Sequence, residues 1–203
     1  MRFASKKNCV TLKDGIIIKE HSDKEALLRE AAALERLRSA GLAVPALLGQ
    51  DATSLRLEYI QGPTYVELVD EMTAQQAQAL ADWLGAYQSI TGLLRGDCNL
   101  RNFLWCNGKC VGVDFEDKPT RGDREVDMGK ILAFAVTYEP ALTEAKRACG
   151  RLVLQAMLQT GGDLARIRSA YLDEIASMNR RRKHFDVKPK KQRPSLMPCK
   201  LRK

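Results

Sequence analysis

The sequence predicts an α+β chain of two lobes, a reduced amino-terminal antiparallel sheet with one helix followed by a mainly helical carboxyl-terminal lobe. Three observations lead there. Short apolar and β-branched runs before residue 61 read as strands, the first two of them joined by an Asp14-Gly15 turn. Two capping boxes, Ser22-Asp23-Lys24-Glu25 and Thr73-Ala74-Gln75-Gln76, each open a stretch with helical apolar spacing. From Asp127 onward the pattern is helical throughout.

Taken in order, Cys9-Val10-Thr11-Leu12 and Ile16-Ile17-Ile18-Lys19 form the first hairpin, and Lys19 ends its second strand. A helix opens at Ser22 and runs to Ser39, stopped by Gly41 and Pro45, with Leu27, Ala31, Leu34 and Leu37 as its inward stripe. Glu30 lies on or beside that stripe. A carboxylate there calls for a cation, and the lysine ending the preceding strand can supply one. Leu55 to Ile60 alternates as a strand and ends at Gln61-Gly62-Pro63, a turn or hinge.

The helix from Thr73 to Ile90 carries Ala77, Leu80, Trp83, Leu84 and Tyr87 at helical spacing, with Trp83 in the core. A loop from Gly92 to Asn102 leads into a second hairpin, Phe103-Leu104-Trp105-Cys106 and Lys109-Cys110-Val111-Gly112-Val113, turned by Asn107-Gly108. Three helices follow, from Asp127 to Thr137, from Pro140, and from Asp163 to Arg180. The expected divisions are 1–61 for the first lobe, 62–182 for the second and 183–203 for a basic tail.

With 203 residues, 45% hydrophobic and 29% charged, the chain can bury one ample core or two small lobes. No run approaches the roughly 18 apolar residues of a membrane span, and the first residues lack the apolar centre of a signal peptide, so the expected location is the cytoplasm. Six cysteines without secreted-domain spacing fit free thiols in a reducing compartment. The net charge of +8 is unevenly spread: from Arg180 onward there are eleven Lys or Arg and one acid, against 22 bases and 24 acids in residues 1–179. That end cannot bury a core, and is expected to stay disordered until it meets RNA or an acidic partner, unless it serves solubility alone.

Three polar groups punctuate residues 97 to 114. Gly96-Asp97-Cys98-Asn99-Leu100-Arg101-Asn102 spaces an Asp and an Asn five apart, and after the hairpin Val111-Gly112-Val113 delivers Asp114 into Phe115-Glu116. Transfer of a γ-phosphoryl group needs a base or orienter for the acceptor hydroxyl, and magnesium to neutralise the triphosphate. Asp97 suits the first role. Asn102 and Asp114, as hard oxygen ligands, suit the second.

In these residues the chain resembles the protein-kinase-like superfamily, whose H-R-D-x-x-x-x-N and D-F-G patterns match at Asp97, Asn102, Asp114 and Phe115. The resemblance spans residues 9–180 and implies a two-lobe protein-kinase-like fold that binds ATP with magnesium. It implies that Lys19 contacts the α and β phosphates, with Glu30 as its helix partner. It further implies that Glu58 to Ile60 offer backbone to adenine, and that Asp127 braces the catalytic loop. Gly96-Asp97 with Asp114-Phe115-Glu116 is similar to aminoglycoside and choline phosphotransferases. Glu30 to Leu34, Gly41 to Pro45, Glu58 to Gly62 and the basic Arg180 to Lys183 resemble the small kinase of the tRNA threonylcarbamoyladenosine machinery.

The expected activity is ATP- and magnesium-dependent phosphorylation of a hydroxyl, on protein Ser or Thr including the chain itself. A small alcohol or sugar is the alternative acceptor. The rival is a pseudokinase or ATPase scaffold whose tail docks RNA, tRNA included, or an acidic protein. Three departures bear on this: Arg95 stands where the superfamily has His or Tyr, residues 1–8 contain no glycine for a phosphate lid, and Glu116 replaces the Gly of D-F-G. His21 and His184 are isolated in sequence and are read as surface residues. Arg121, Asp123 and Arg124 fit either acceptor contact or a solvated loop.

Overall fold

The computed structural model describes residues 2–3 and 8–181. The basic tail expected at 183–203, and His184 within it, lie outside those residues. Strand β1 (Arg2–Phe3) pairs with β2 (Cys9–Lys13), and β2 with β3 (Ile16–Glu20), all antiparallel. Asp14 and Gly15 both take positive φ, 51° and 77°, the geometry a two-residue hairpin demands. The segment joining β1 to β2, where no glycine-rich lid was legible, falls among the residues left undescribed.

Helix α1 (Lys24–Ser39) is capped by the Asp23 carboxylate, which accepts from the Glu25 backbone N–H, so Asp23 takes the place expected of Ser22. Gly41 at φ 83° follows its end. Strand β4 (Leu47–Gln50), which the sequence did not announce, then pairs with β5 (Ser54–Glu58) to complete a sheet of order β1-β2-β3-β5-β4. Strand β5 stops at Glu58 rather than Ile60, which frees Tyr59 to Pro63 as a connector.

The second lobe begins with α2 (Ala74–Thr91), whose Thr73–Gln76 capping box is fully formed. The hairpin of β6 (Phe103–Cys106) and β7 (Lys109–Gly112) turns at Asn107 and Gly108, both with positive φ. Helix α3 (Glu125–Thr137) starts two residues before Asp127. Helix α4 (Glu144–Gln159) is capped by Thr143 rather than opened by Pro140, because the Thr143 hydroxyl can accept from the Lys146 N–H. Helix α5 is Leu164–Arg181, with Asp163 accepting from Arg166. No helix among the described residues is long and apolar enough to cross a membrane.

Two features hold the lobes in register. The Ala43 carbonyl, on the loop between α1 and β4, accepts from Trp83 Nε1 of α2 at 2.8 Å and from the Gly112 N–H of β7 at 3.1 Å. The connector after β5 lies directly on the β6–β7 hairpin: Trp105 N–H donates to the Pro63 carbonyl and Tyr65 N–H to Phe103, and a side chain at Gly62 would collide with the Trp105 carbonyl. Trp83, buried against Phe103 and Phe115, fills the space beneath this junction.

Helices α3 and α5 meet closely at Gly129, where a Cβ would stand 2.5 Å from both the Ala170 Cβ and the Tyr171 backbone nitrogen. Backbone on a packed helix cannot yield locally. Gly129→Val should therefore lower unfolding free energy by about 2 kcal/mol or more, read from urea midpoints.

Candidate active site

Strand β3 ends by burying Lys19, and α1 turns Glu30 inward between Leu27 and Leu34, so the two meet as their sequence periods require. Lys19 Nζ lies 2.7 Å from Glu30 Oε2 and 2.6 Å from Asp114 Oδ1. Asp114 follows β7 with φ 65°, a left-handed conformation that Asp tolerates better than most residues and that stores strain at functional positions. Glu30 Oε1 accepts from the Phe115 backbone N–H at 3.1 Å. One carboxylate thus binds both the lysine and the segment that carries Asp114.

Asp97 is held on both oxygens. Asn102 Nδ2 donates to Oδ2 at 2.9 Å and the Asn99 N–H to Oδ1 at 3.1 Å. Val113 N–H donates to the Asn102 carbonyl, joining this loop to the end of β7. Asp127, buried in the first turn of α3, accepts from the backbone N–H groups of Arg95 at 2.6 Å and Gly96 at 3.2 Å. Lys130 Nζ donates to the Gly96 carbonyl, while Tyr138 donates its hydroxyl to Asn99 Oδ1 and accepts from Leu100 N–H.

Arg95 shows what its departure from His or Tyr does. Buried, it donates Nη2 to the carbonyls of Val113 and Asp114 and lays its guanidinium 4.5 Å from the Phe115 ring centroid. A guanidinium fork can satisfy two carbonyls at a strained turn where an imidazole would reach one.

The connector residues stand apart from this cluster. The Glu58 carboxylate accepts from Ala46 N–H at 2.9 Å and Arg38 Nη1 at 3.0 Å, so the side chain braces the sheet edge. The Glu58 N–H donates to the Ala46 carbonyl at 2.9 Å, Tyr59 is exposed and Ile60 is half-buried. Arg124 is a structural tether, donating to the Thr160 and Gly161 carbonyls, and Asp123 faces Arg166.

Sequence reasoning missed His21. Far from being a surface residue, its side chain is 1% exposed, with Nε2 3.1 Å from Glu30 Oε2 and Nδ1 3.9 Å from Glu116 Oε2. The signal was its place two residues after Lys19, which keeps both on one face of the extended chain. Glu116 also approaches Lys19, at 3.7 Å, and accepts from Asn8 Nδ2.

Three carboxylates thus surround one ammonium. Burial would push Lys19 down, but Glu30 and Asp114 outweigh it and hold the ammonium above the ordinary lysine range. Burial raises Asp114, helped by Glu30 and Glu116, and the opposing pull of Lys19 does not overcome it. Burial also opposes ionisation of Glu30, yet contacts from His21, Lys19 and the Phe115 N–H keep its carboxyl below the ordinary range. Asp114 therefore finds the cluster unfavourable although its own lysine gains, chiefly because burial strips its charge of water and only secondarily because Glu30 and Glu116 stand near.

Two outcomes follow. Because Glu30 titrates lower folded than unfolded, its contribution is full above the ordinary glutamate value and is lost as pH falls through the folded value. The stability gap between wild type and Glu30→Gln should accordingly narrow between pH 6 and pH 3 in urea melts. Asp114→Asn removes a disfavoured charge and keeps the left-handed tolerance, so its midpoint at pH 7 should equal or exceed that of wild type.

No family model matches the sequence, and no curated protein does. Solved structures do. The ADP-bound aminoglycoside phosphotransferase APH(2'')-Ib is 16% identical with a TM-score of 0.65, covering 93% of this chain and 87% of that one. APH(2'')-IIa in its streptomycin–ATP ternary complex is 15% identical with a TM-score of 0.61, covering 89% and 86%. A choline/ethanolamine kinase family protein from Mesorhizobium loti is 14% identical with a TM-score of 0.60, covering 87% and 75%. At such identities the likeness speaks for architecture, and the chain has the two-lobe fold of the protein-kinase-like superfamily.

Proposed function

We propose that the chain is an ATP- and magnesium-dependent phosphotransferase that phosphorylates a hydroxyl group. The observation that carries this reading is the meeting of Lys19, Glu30 and Asp114 within 2.7 Å, beside a loop in which Asn102 fixes Asp97. Four separate segments converge to make it. A scaffold would have no need to bury one lysine among three acids and to strain Asp114.

The residues fit magnesium. Asp114 and Asn102 offer hard oxygens, and the Asp114 side chain is 35% exposed against 1% for Glu30 and 12% for Glu116. When bound, MgATP supplies the γ-phosphoryl group and the divalent charge that offsets it. Lys19, anchored by Glu30, holds the α and β phosphates. The backbone from Glu58 to Ile60 receives the adenine. Asp97 orients the acceptor hydroxyl and takes its proton, and its bonds from Asn102 and Asn99 keep the carboxylate aimed. Asp127 and Arg95 hold that loop against the Asp114 segment.

The acceptor is a hydroxyl of a small alcohol or sugar, or of protein Ser or Thr including the chain itself. The aminoglycoside phosphotransferase and choline/ethanolamine kinase neighbours support a hydroxyl acceptor, small molecules included. RNA or an acidic partner remains assigned to the basic tail, and the cytoplasm is the compartment in which ATP and reduced thiols suit the chain.

Incubation of the pure protein with radiolabelled ATP and magnesium tests this, alone, with aminoglycoside and amino-alcohol acceptors, with a general Ser/Thr protein substrate, and with tRNA. Asp97→Ala should cut transfer about 10²- to 10⁴-fold. Asp114→Ala should abolish it. Label that survives both substitutions would refute the assigned centre, and magnesium-dependent nucleotide binding without turnover would favour the scaffold.

A further inference from the structure

His21 has no part in the reading above, yet it is among the most deeply placed polar groups of the first lobe. Its ring lies between Glu30 of α1 and Glu116 beyond β7, and neither ring nitrogen completes an aligned hydrogen bond among the described residues. Glu30 Oε2 is in the same state. Leaving such groups loosely matched is costly, which sets this contact apart from ordinary core packing.

His21, Glu30 and Glu116 place ligand atoms within 4.8 Å of one another, the span of a metal site. Lys19 Nζ, 2.7 Å from Glu30 and 3.7 Å from Glu116, already brings positive charge into that space, so a metal ion would face a buried ammonium at close range. The cluster is better explained by what happens to Glu30 when Lys19 shifts. Lys19 divides itself between Glu30 and Asp114, and in the phosphotransferase reading it must turn toward phosphates. Glu30 is 1% exposed and cannot recruit water. Its Oε1 keeps the Phe115 N–H, and among the described residues His21 is the donor that stands nearest Oε2 once Lys19 leaves, at 3.1 Å.

We propose that His21 is a positioning residue: when Lys19 is drawn toward bound phosphates, its Nε2–H, 3.1 Å away, turns onto Glu30 Oε2, so that no buried carboxylate is left uncompensated. The role rests on the nucleotide reading and acts through Glu30 and Lys19, with no contact to the reacting atoms. Without His21, Glu30 holds Lys19 back. Nucleotide binding then weakens while the transfer step, run by Asp97, is spared.

The test compares His21→Phe, which keeps a ring but no donor, with His21→Gln, which returns an N–H near the Nε2 position. His21→Phe should raise KM for ATP about tenfold, the worth of one hydrogen bond to a charged group. Its kcat should stay within about threefold of wild type, and His21→Gln should recover most of the KM. Equal losses in kcat and KM, or a Gln variant no better than Phe, would overturn the role. A urea double-mutant cycle between His21→Phe and Glu30→Gln needs no nucleotide, and should show a coupling outside error. If wild type neither binds nor turns over ATP, the function reading fails and that cycle alone decides: additive effects would sink the His21 contact as well.

Discussion

The Lys19 ammonium is the charge around which both lobes are arranged. Taking a lysine out of water costs several kcal/mol, offset here only because Glu30 and Asp114 approach within 2.7 Å. Those partners come from α1 and from the turn after β7, so β3, the helix and the second-lobe hairpin each depend on the other two. Removing Lys19 would leave the buried Glu30 carboxylate without its ammonium. Three carboxylates around one ammonium describe a site stabilised around a cation and short of positive charge.

The segment carrying Asp114 is kept strained by a second set of contacts. Its left-handed backbone persists because Arg95 satisfies the carbonyls on either side of that turn and covers Phe115, while Asp127 binds the backbone of Arg95 itself. A single residue therefore couples the Asp97 loop to the Asp114 turn. Arg95 ties the loop through its guanidinium to two backbone carbonyls and a ring face. The Ala43 carbonyl, bonded from both α2 and β7, fixes the remaining degree of freedom between the lobes.

Most of this was legible where local chemistry is strong. The Asp14-Gly15 and Asn107-Gly108 turns, the Thr73 capping box and the apolar stripe of α1 declared themselves, and with them the approach of Lys19 to Glu30. Strand β4 did not, because Leu47–Gln50 is short, contains Gly49 and pairs through an irregular register that no alternation reveals. Helix starts slipped by a residue or more because Asp23 and Thr143 compete with neighbouring Ser22 and Pro140 for the cap, and only the backbone geometry decides. His21 offered one weak signal, its place two residues after Lys19 on the same face of the extended chain. A lone histidine carries no motif, and its importance comes from Glu30 and Glu116, neighbours 9 and 95 positions away. The Glu58 side chain likewise serves Arg38 and Ala46, contacts set by packing rather than by the strand pattern in which it sits.

In the proposed function this cluster, short of positive charge, receives a magnesium nucleotide by way of Lys19 and Asp114. Calorimetric titration of ATP with and without magnesium, on wild type and on Lys19→Met, measures it most directly. ATP should bind at least about tenfold more tightly with magnesium than without, and Lys19→Met should lose most of that affinity. Binding that is indifferent to both the metal and Lys19 would contradict that reading.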